Sequence, residues 1–185
     1  MKDAVIIKSV SIMAVMNNPD VLMISIAFSM PWGIYLSLLP LIMSAGNYLG
    51  IIELTAPLVL TPLLYRFRHS LRIERRKLLF YLTIVLGAMA MPMGFVKVQL
   101  FIPVIVGFIF TLILLLTLYL VHELVSPILI AQSTSYLFTV SSIIGSIVGV
   151  ALGYAVQYLG VLGWIMIGGL IMISSLIYRI LKITL

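Results

Sequence analysis

Charges are rare along this chain, and the uncharged stretches between them are long. Val21–Ile52, Leu78–Val96, Val98–Val121 and Leu124–Tyr178 contain no Asp, Glu, Lys or Arg. A helix needs about 20 mostly apolar residues to cross about 30 Å of hydrocarbon, and every one of these runs is near or above that length. The last is long enough for two crossings, and Gln157, Tyr158, Gly160 and Gly163 within it have the composition of a short turn. A fifth stretch, Leu54–Tyr65, reaches spanning length only if it begins at Tyr48 and takes Glu53 inside. The pattern predicts an all-α polytopic membrane protein with six spans, near Val21–Ser44, Tyr48–Tyr65, Leu78–Phe95, Leu100–Leu120, Leu124–Gln157 and Val161–Ile180. Residues 1–20 read as a cytoplasmic amphipathic or linker segment without a cleaved signal, and residues 21–185 as one transmembrane domain. In that first segment Val5, Ile6, Val10, Ile12, Met13 and Met16 share much of one helical face, and Asn17-Asn18-Pro19-Asp20 ends it and starts the first span.

Composition removes the alternative of a soluble fold. The chain is 63% hydrophobic and 9% charged, with a mean hydropathy of +1.29, against about 45–50% and about 25% in soluble domains. With no cysteine there are no disulfides, thiolate metal sites or cysteine nucleophiles. A net charge of +6 would suit nucleic acid, but the placement of the bases argues otherwise. With six spans Lys2 and Lys8, the group Arg66, Arg68, Arg72, Arg75, Arg76 and Lys77, and Arg179 and Lys182 all fall on one side, leaving Lys97 opposite. This is the positive-inside pattern, and it puts both termini in the cytoplasm. The expected partner is therefore the lipid bilayer of the cell membrane and not nucleic acid. The basic loop between the second and third spans sets topology and meets anionic headgroups.

Catalytic chemistry is missing from the sequence. The histidines are His69 in the basic loop and His122 at a span end, and the aspartates, Asp3 and Asp20, lie near the N-terminus. That leaves no serine-protease elbow with a buried histidine, no intramembrane aspartate pair, no metal-ligand spacing and no glycine-rich phosphate loop. We expect no enzyme activity, metal or cofactor.

What remains is helix packing and passage. Glu53 is the sharpest candidate: it either lines a passage as a protonatable or cation-binding group, or snorkels at the outer interface. Asn47, Trp32, Tyr35, Gln132 and Tyr154 are further candidates for lining a solute or ion path. Glu123, beside His122, is placed to pair with Arg75 or Arg76 as a latch at the inner face. Gly145, Gly149 and Gly153 recur every four residues and predict a smooth stripe for close helix packing. Pro31, Pro40, Pro57, Pro62, Pro92, Pro103 and Pro127 predict kinks within spans.

With the spans placed, several strings resemble the major facilitator superfamily, in particular a single six-helix half of the C-terminal type. Asn17-Asn18-Pro19-Asp20 resembles the linker before that half, and Gly46-Asn47-Tyr48-Leu49-Gly50 its first outer turn. Pro62-Leu63-Leu64-Tyr65-Arg66-Phe67 with Arg75-Arg76-Lys77 resembles the family's Gly-x-x-x-Asp-Arg-x-Gly-Arg-Arg loop. Here Thr61, Tyr65 and Arg68 stand in place of the first Gly, the Asp and the second Gly, so the gating role of that Asp is not carried over. Gly145, Gly149 and Gly153 followed by Tyr158-Leu159-Gly160 resemble the penultimate helix and its outer turn. The resemblance implies two three-helix repeats of inverted topology and a second six-helix half, a copy or a separate chain, across a shared cavity. It implies a secondary active transporter moving a small solute by alternating access, driven by an ion gradient. The sequence also leaves open a substrate-capture subunit of an energy-coupling importer, similar in size and helix number, and a non-transporting membrane scaffold or assembly protein.

Overall fold

A computed structural model describes residues 13–44, 59, 62, 75–95 and 102–180. Among these the regular structure is entirely helical, with no strand. Five long helices follow one another: α1 (Pro19–Ser44), α2 (Arg75–Ala90), α3 (Ile102–Leu124), α4 (Ile130–Leu159) and α5 (Val161–Ile180). Each is long and apolar enough to cross a membrane, α2 together with the turn that follows it to Gly94. The chain is therefore a multi-pass membrane protein. The second expected span, Tyr48–Tyr65, lies outside the described residues apart from Val59 and Pro62.

Local chemistry sets the helix ends. The side chain of Asn18 accepts hydrogen bonds from the backbone N–H groups of Asp20 and Val21, at 3.0 and 3.3 Å, and caps α1. Pro19 follows at the first helical position, where its missing N–H costs nothing. At 16 residues α2 is only about 24 Å long. A 3₁₀ turn at Met91–Gly94 carries it on, adding about 8 Å at the longer 3₁₀ rise. Pro92 sits in that turn, Pro127 opens another at Pro127–Leu129, and Pro103 lies in the first turn of α3. These three prolines shape helix ends, in contrast to the interior kinks expected from sequence. Pro31 does lie inside α1, as expected. The turn between α4 and α5 needs Gly160, whose φ of 55° lies in the left-handed region that disfavours any side chain.

Two glycine crossings hold the bundle. A Cβ on Gly33 of α1 would stand 2.8 Å from the Cα of Gly145 on α4, and one on Gly145 would stand 3.0 Å from the carbonyl oxygen of Ser29. The Ser141 hydroxyl donates across the same seam to the Ser25 carbonyl at 3.0 Å. Because Ser25 meets Ser141 while Ser29 and Gly33 meet Gly145, α1 and α4 run parallel. At the second crossing a Cβ on Gly87 of α2 would stand 2.6 Å from the carbonyl oxygen of Gly168 on α5. Gly94 meets Val161 and Trp164 farther along, so α2 and α5 run antiparallel. α3 packs against both pairs, with Ile113 and Val121 fully buried.

The stripe expected from Gly145, Gly149 and Gly153 divides. Gly145 and Gly149 are buried, while Gly153 faces open space. Gly145→Val should therefore lower stability by about 1–3 kcal/mol through overpacking, whereas Gly153→Ala should leave it unchanged or raise it by up to about 1 kcal/mol. Thermal unfolding of the two variants in one detergent checks this.

Candidate functional site

Phe28, Trp32 and Tyr35 fall at i, i+4 and i+7 of α1, a spacing that puts all three on one face. Trp32 lies about 20 Å along the helix from Pro19, near the middle of a bilayer. The three rings meet Phe110 of α3 and Phe138 of α4. Tyr35 stacks on Phe110 with centroids 4.1 Å apart and planes 7° from parallel, and Trp32 lies 5.3 Å from Phe138. Phe28 lies 5.8 Å from Trp32 and 6.0 Å from Phe110. The Trp32 indole N–H donates to the Ser142 hydroxyl at 3.0 Å. The result is an aromatic wedge joining three helices at mid-depth, with its indole donor already engaged. Chemically it offers aromatic ring faces and the partly exposed Tyr35.

The remaining candidates do not converge on this wedge. Gln132 lies in the first turn of α4, half-buried, with its side-chain oxygen buried and without a hydrogen-bond partner. Tyr154 lies near the other end of the same helix, 58% exposed, its ring 6.3 Å from that of Tyr158. About 33 Å of helix separates the two. Asn47 and Glu53 lie outside the described residues, as do Arg66, Arg68 and Arg72.

The other three bases, Arg75, Arg76 and Lys77, form the first turn of α2 and not part of a loop. Arg75 makes an ion pair with Glu123 at the end of α3, and its guanidinium sits 4.1 Å above the ring centre of Tyr119. On the neighbouring seam His122 and Thr134 share a hydrogen bond of 2.9 Å between α3 and α4. The N-termini of α2 and α4 therefore meet the C-terminus of α3 at one end of the bundle. Arg179, at the end of α5, is at the same end beside Arg76 and Lys77. Among the described residues no three His, Asp or Glu side chains are grouped to hold a metal ion.

Sequence reading missed Tyr119, Ser142, Phe110 and Phe138 as partners. Tyr119 carried a signal, since it stands four residues before Glu123 and so on the same helical face. Ser142, Phe110 and Phe138 carried none, because their roles depend on which helices become neighbours. Against known proteins, no family model matches this chain, and no characterised protein or solved structure matches it either.

Interhelical hydrogen bonds in membranes average about 0.6 kcal/mol and reach about 1.7. In a double-mutant cycle Trp32→Phe and Ser142→Ala should couple by an amount in that range, read from chemical unfolding in mixed micelles. Zero coupling would mean that the bond adds nothing to stability.

Proposed function

We propose that this chain forms one six-helix wall of a secondary active transporter that carries a small solute by alternating access, facing a second six-helix half that is a copy or a separate chain. One observation carries the reading. α4 is the least buried of the five spans, and its uncovered side bears Ser135, Thr139, Ser146, Gly153 and Gln157. At 100° per residue these fall within about 40° of one another, about 120° round the helix from the buried Ser141 and Gly145 and alongside the exposed Ile143, Ile147 and Val150. Thr139 and Ser146 lie near mid-membrane. A stripe of polar side chains at that depth suits water or a protein partner better than acyl chains.

Two further features support six helices in two inverted repeats. α1 and α2 start at the same end of the bundle, a layout that one further span between them would give. The expected Tyr48–Tyr65 span would supply it. The described pairings are compatible with such repeats. If the first repeat is α1, Tyr48–Tyr65 and α2, and the second is α3, α4 and α5, then α1 against α5 mirrors α3 against α2. Both pairs are in contact, and α2 against α5 lies on the axis itself. The sequence resemblance to a major facilitator half, without the loop Asp, in the basic loop and the α4–α5 turn fits this reading. The chain has no nucleotide-binding loop, so an ion gradient is the natural energy source.

The absence of cysteine makes the test direct, since an introduced thiol is the sole one. In membranes, T139C and S146C should react with a charged, water-soluble thiol reagent at least tenfold faster than I173C, on the exposed side of α5. Purified chain should also support flux of some member of a broad solute panel in proteoliposomes, and light scattering should report the mass of a dimer or of a complex with a second chain. Equal inertness of all three thiols, together with no flux, would overturn transport and favour a scaffold. Copurifying ATPase subunits would point to the energy-coupling importer instead.

A further inference from the structure

The first two turns of α2 and the last turn of α5 enclose a cleft of about 320 Å³, lined by Arg76, Lys77, Phe80, Tyr81, Tyr178 and Arg179. Three bases from two helices converge here, and none of the described lining residues is acidic. Arg75 is not part of the cleft: it turns toward Glu123 and Tyr119. Glu123, at the end of α3, is engaged by Arg75. The cleft lies between the positive end of the α2 dipole and the negative end of the α5 dipole, so its preference for an anion comes from the three bases. Its inner wall is Tyr178, whose hydroxyl is buried with no hydrogen bond of normal geometry, although Thr117 faces it.

We propose that this cleft is a binding site for a phosphate group, held by Arg76, Lys77 and Arg179, and that the phosphate is the headgroup of an acidic phospholipid in the base-rich leaflet. Arg side chains suit phosphate because the guanidinium fork matches two of its oxygens, while Lys adds a point charge. The surroundings favour a lipid over free phosphate. Lys77, Tyr81, Val85 and Ala88 are exposed at successive helical turns of α2. On α5 Ile173, Leu176 and Ile180 are exposed as well. An apolar track therefore leads from the cleft into the hydrocarbon, with Tyr81 at the depth where aromatic rings meet the glycerol region. An acyl chain along this track would keep the headgroup in the cleft, which a free ion lacks. The proposal needs only the membrane orientation of the helices and is independent of solute transport.

Native mass spectrometry of the full chain in neutral detergent tests it, with phosphatidylglycerol, phosphatidylcholine and inorganic phosphate added in separate arms. One phosphatidylglycerol should be retained in preference to phosphatidylcholine. A base near a membrane surface is worth about a fivefold change in binding, so R179Q should weaken retention about fivefold and R76Q/K77Q/R179Q about a hundredfold. R75Q should leave it unchanged. R179Q alters an exposed side chain at a helix end, so it decides the matter even if the triple variant fails to fold. Displacement of the lipid by millimolar inorganic phosphate would support the phosphate site and assign it to the free ion. Equal retention of the two lipids, or equal weakening by R75Q and R179Q, would overturn the site.

Discussion

Lipid gives helices no hydrophobic reason to touch, because acyl chains are as apolar as the side chains they would replace. Association then has to come from close contact, and here it rests on two places where backbones meet without side chains between them. Gly33 against Gly145 joins α1 to α4, and Gly87 against Gly168 joins α2 to α5. Other contacts depend on those approaches. Ser141 reaches the Ser25 carbonyl, and Trp32 reaches Ser142, only because α1 and α4 are already that close. Several other buried hydroxyls turn back on their own helices. Ser25 bonds the Val21 carbonyl, Thr83 that of Leu79 and Thr111 that of Gly107. Without water such hydroxyls have few other partners.

A second constraint acts at the base-rich end and works against helix electrostatics. Arg75, Arg76 and Lys77 stand at the N-terminus of α2, where the dipole disfavours positive charge, and Glu123 stands at the C-terminus of α3, where it disfavours negative charge. Each unfavourable placement costs a few tenths to about 1 kcal/mol. Carrying the same bases across the bilayer would cost several times more, so orientation prevails over the dipole. The Arg75–Glu123 pair relieves both misplacements together. Both partners are about one-third exposed, so solvent screening keeps the pair itself to about 1 kcal/mol or less. Its larger effect is selective: it removes Arg75 from the set of bases that line the neighbouring cleft.

Much of the helical layout was readable in the sequence. The last span was placed at Val161–Ile180, where α5 lies, and the turn at Gly160 followed from its composition. Charge gaps measure span length directly, which is why these positions agree. Helix ends were read less well. Prolines are visible in sequence, but whether one bends a helix or ends it depends on the neighbouring turns, as Pro92 and Pro127 show. Pairing was less visible still. Gly145 announced a smooth surface, yet its partner stripe of Ser25, Ser29 and Gly33 was recognisable only once α1 lay against it. The candidate site shares that limit: Trp32 and Tyr35 belong together because they share a helical face, while Gln132 and Tyr154 were grouped with them by residue type, and their helix holds them at opposite ends.

The α1–α4 seam also bears on how such a wall could move. It is made of small residues, so sliding or rocking there disturbs little side-chain packing. Side-chain hydrogen bonds across it include Trp32–Ser142 and Ser141–Ser25, worth about 0.6 kcal/mol each at the membrane average. Breaking both would cost little more than 1 kcal/mol, besides whatever the backbone contact of Gly33 with Gly145 contributes. A two-state equilibrium with a gap of a few kcal/mol keeps its minor state measurably populated, and a ligand can reverse it by preferring that state. The aromatic wedge sits on this seam: Trp32 bonds α4 while Tyr35 stacks on α3. A solute that competed for the ring face of Trp32 would therefore act on a contact that holds α4, and one that competed for Tyr35 on a contact to α3. Binding and rocking would then be coupled through a single turn of α1, with no relay across the bundle.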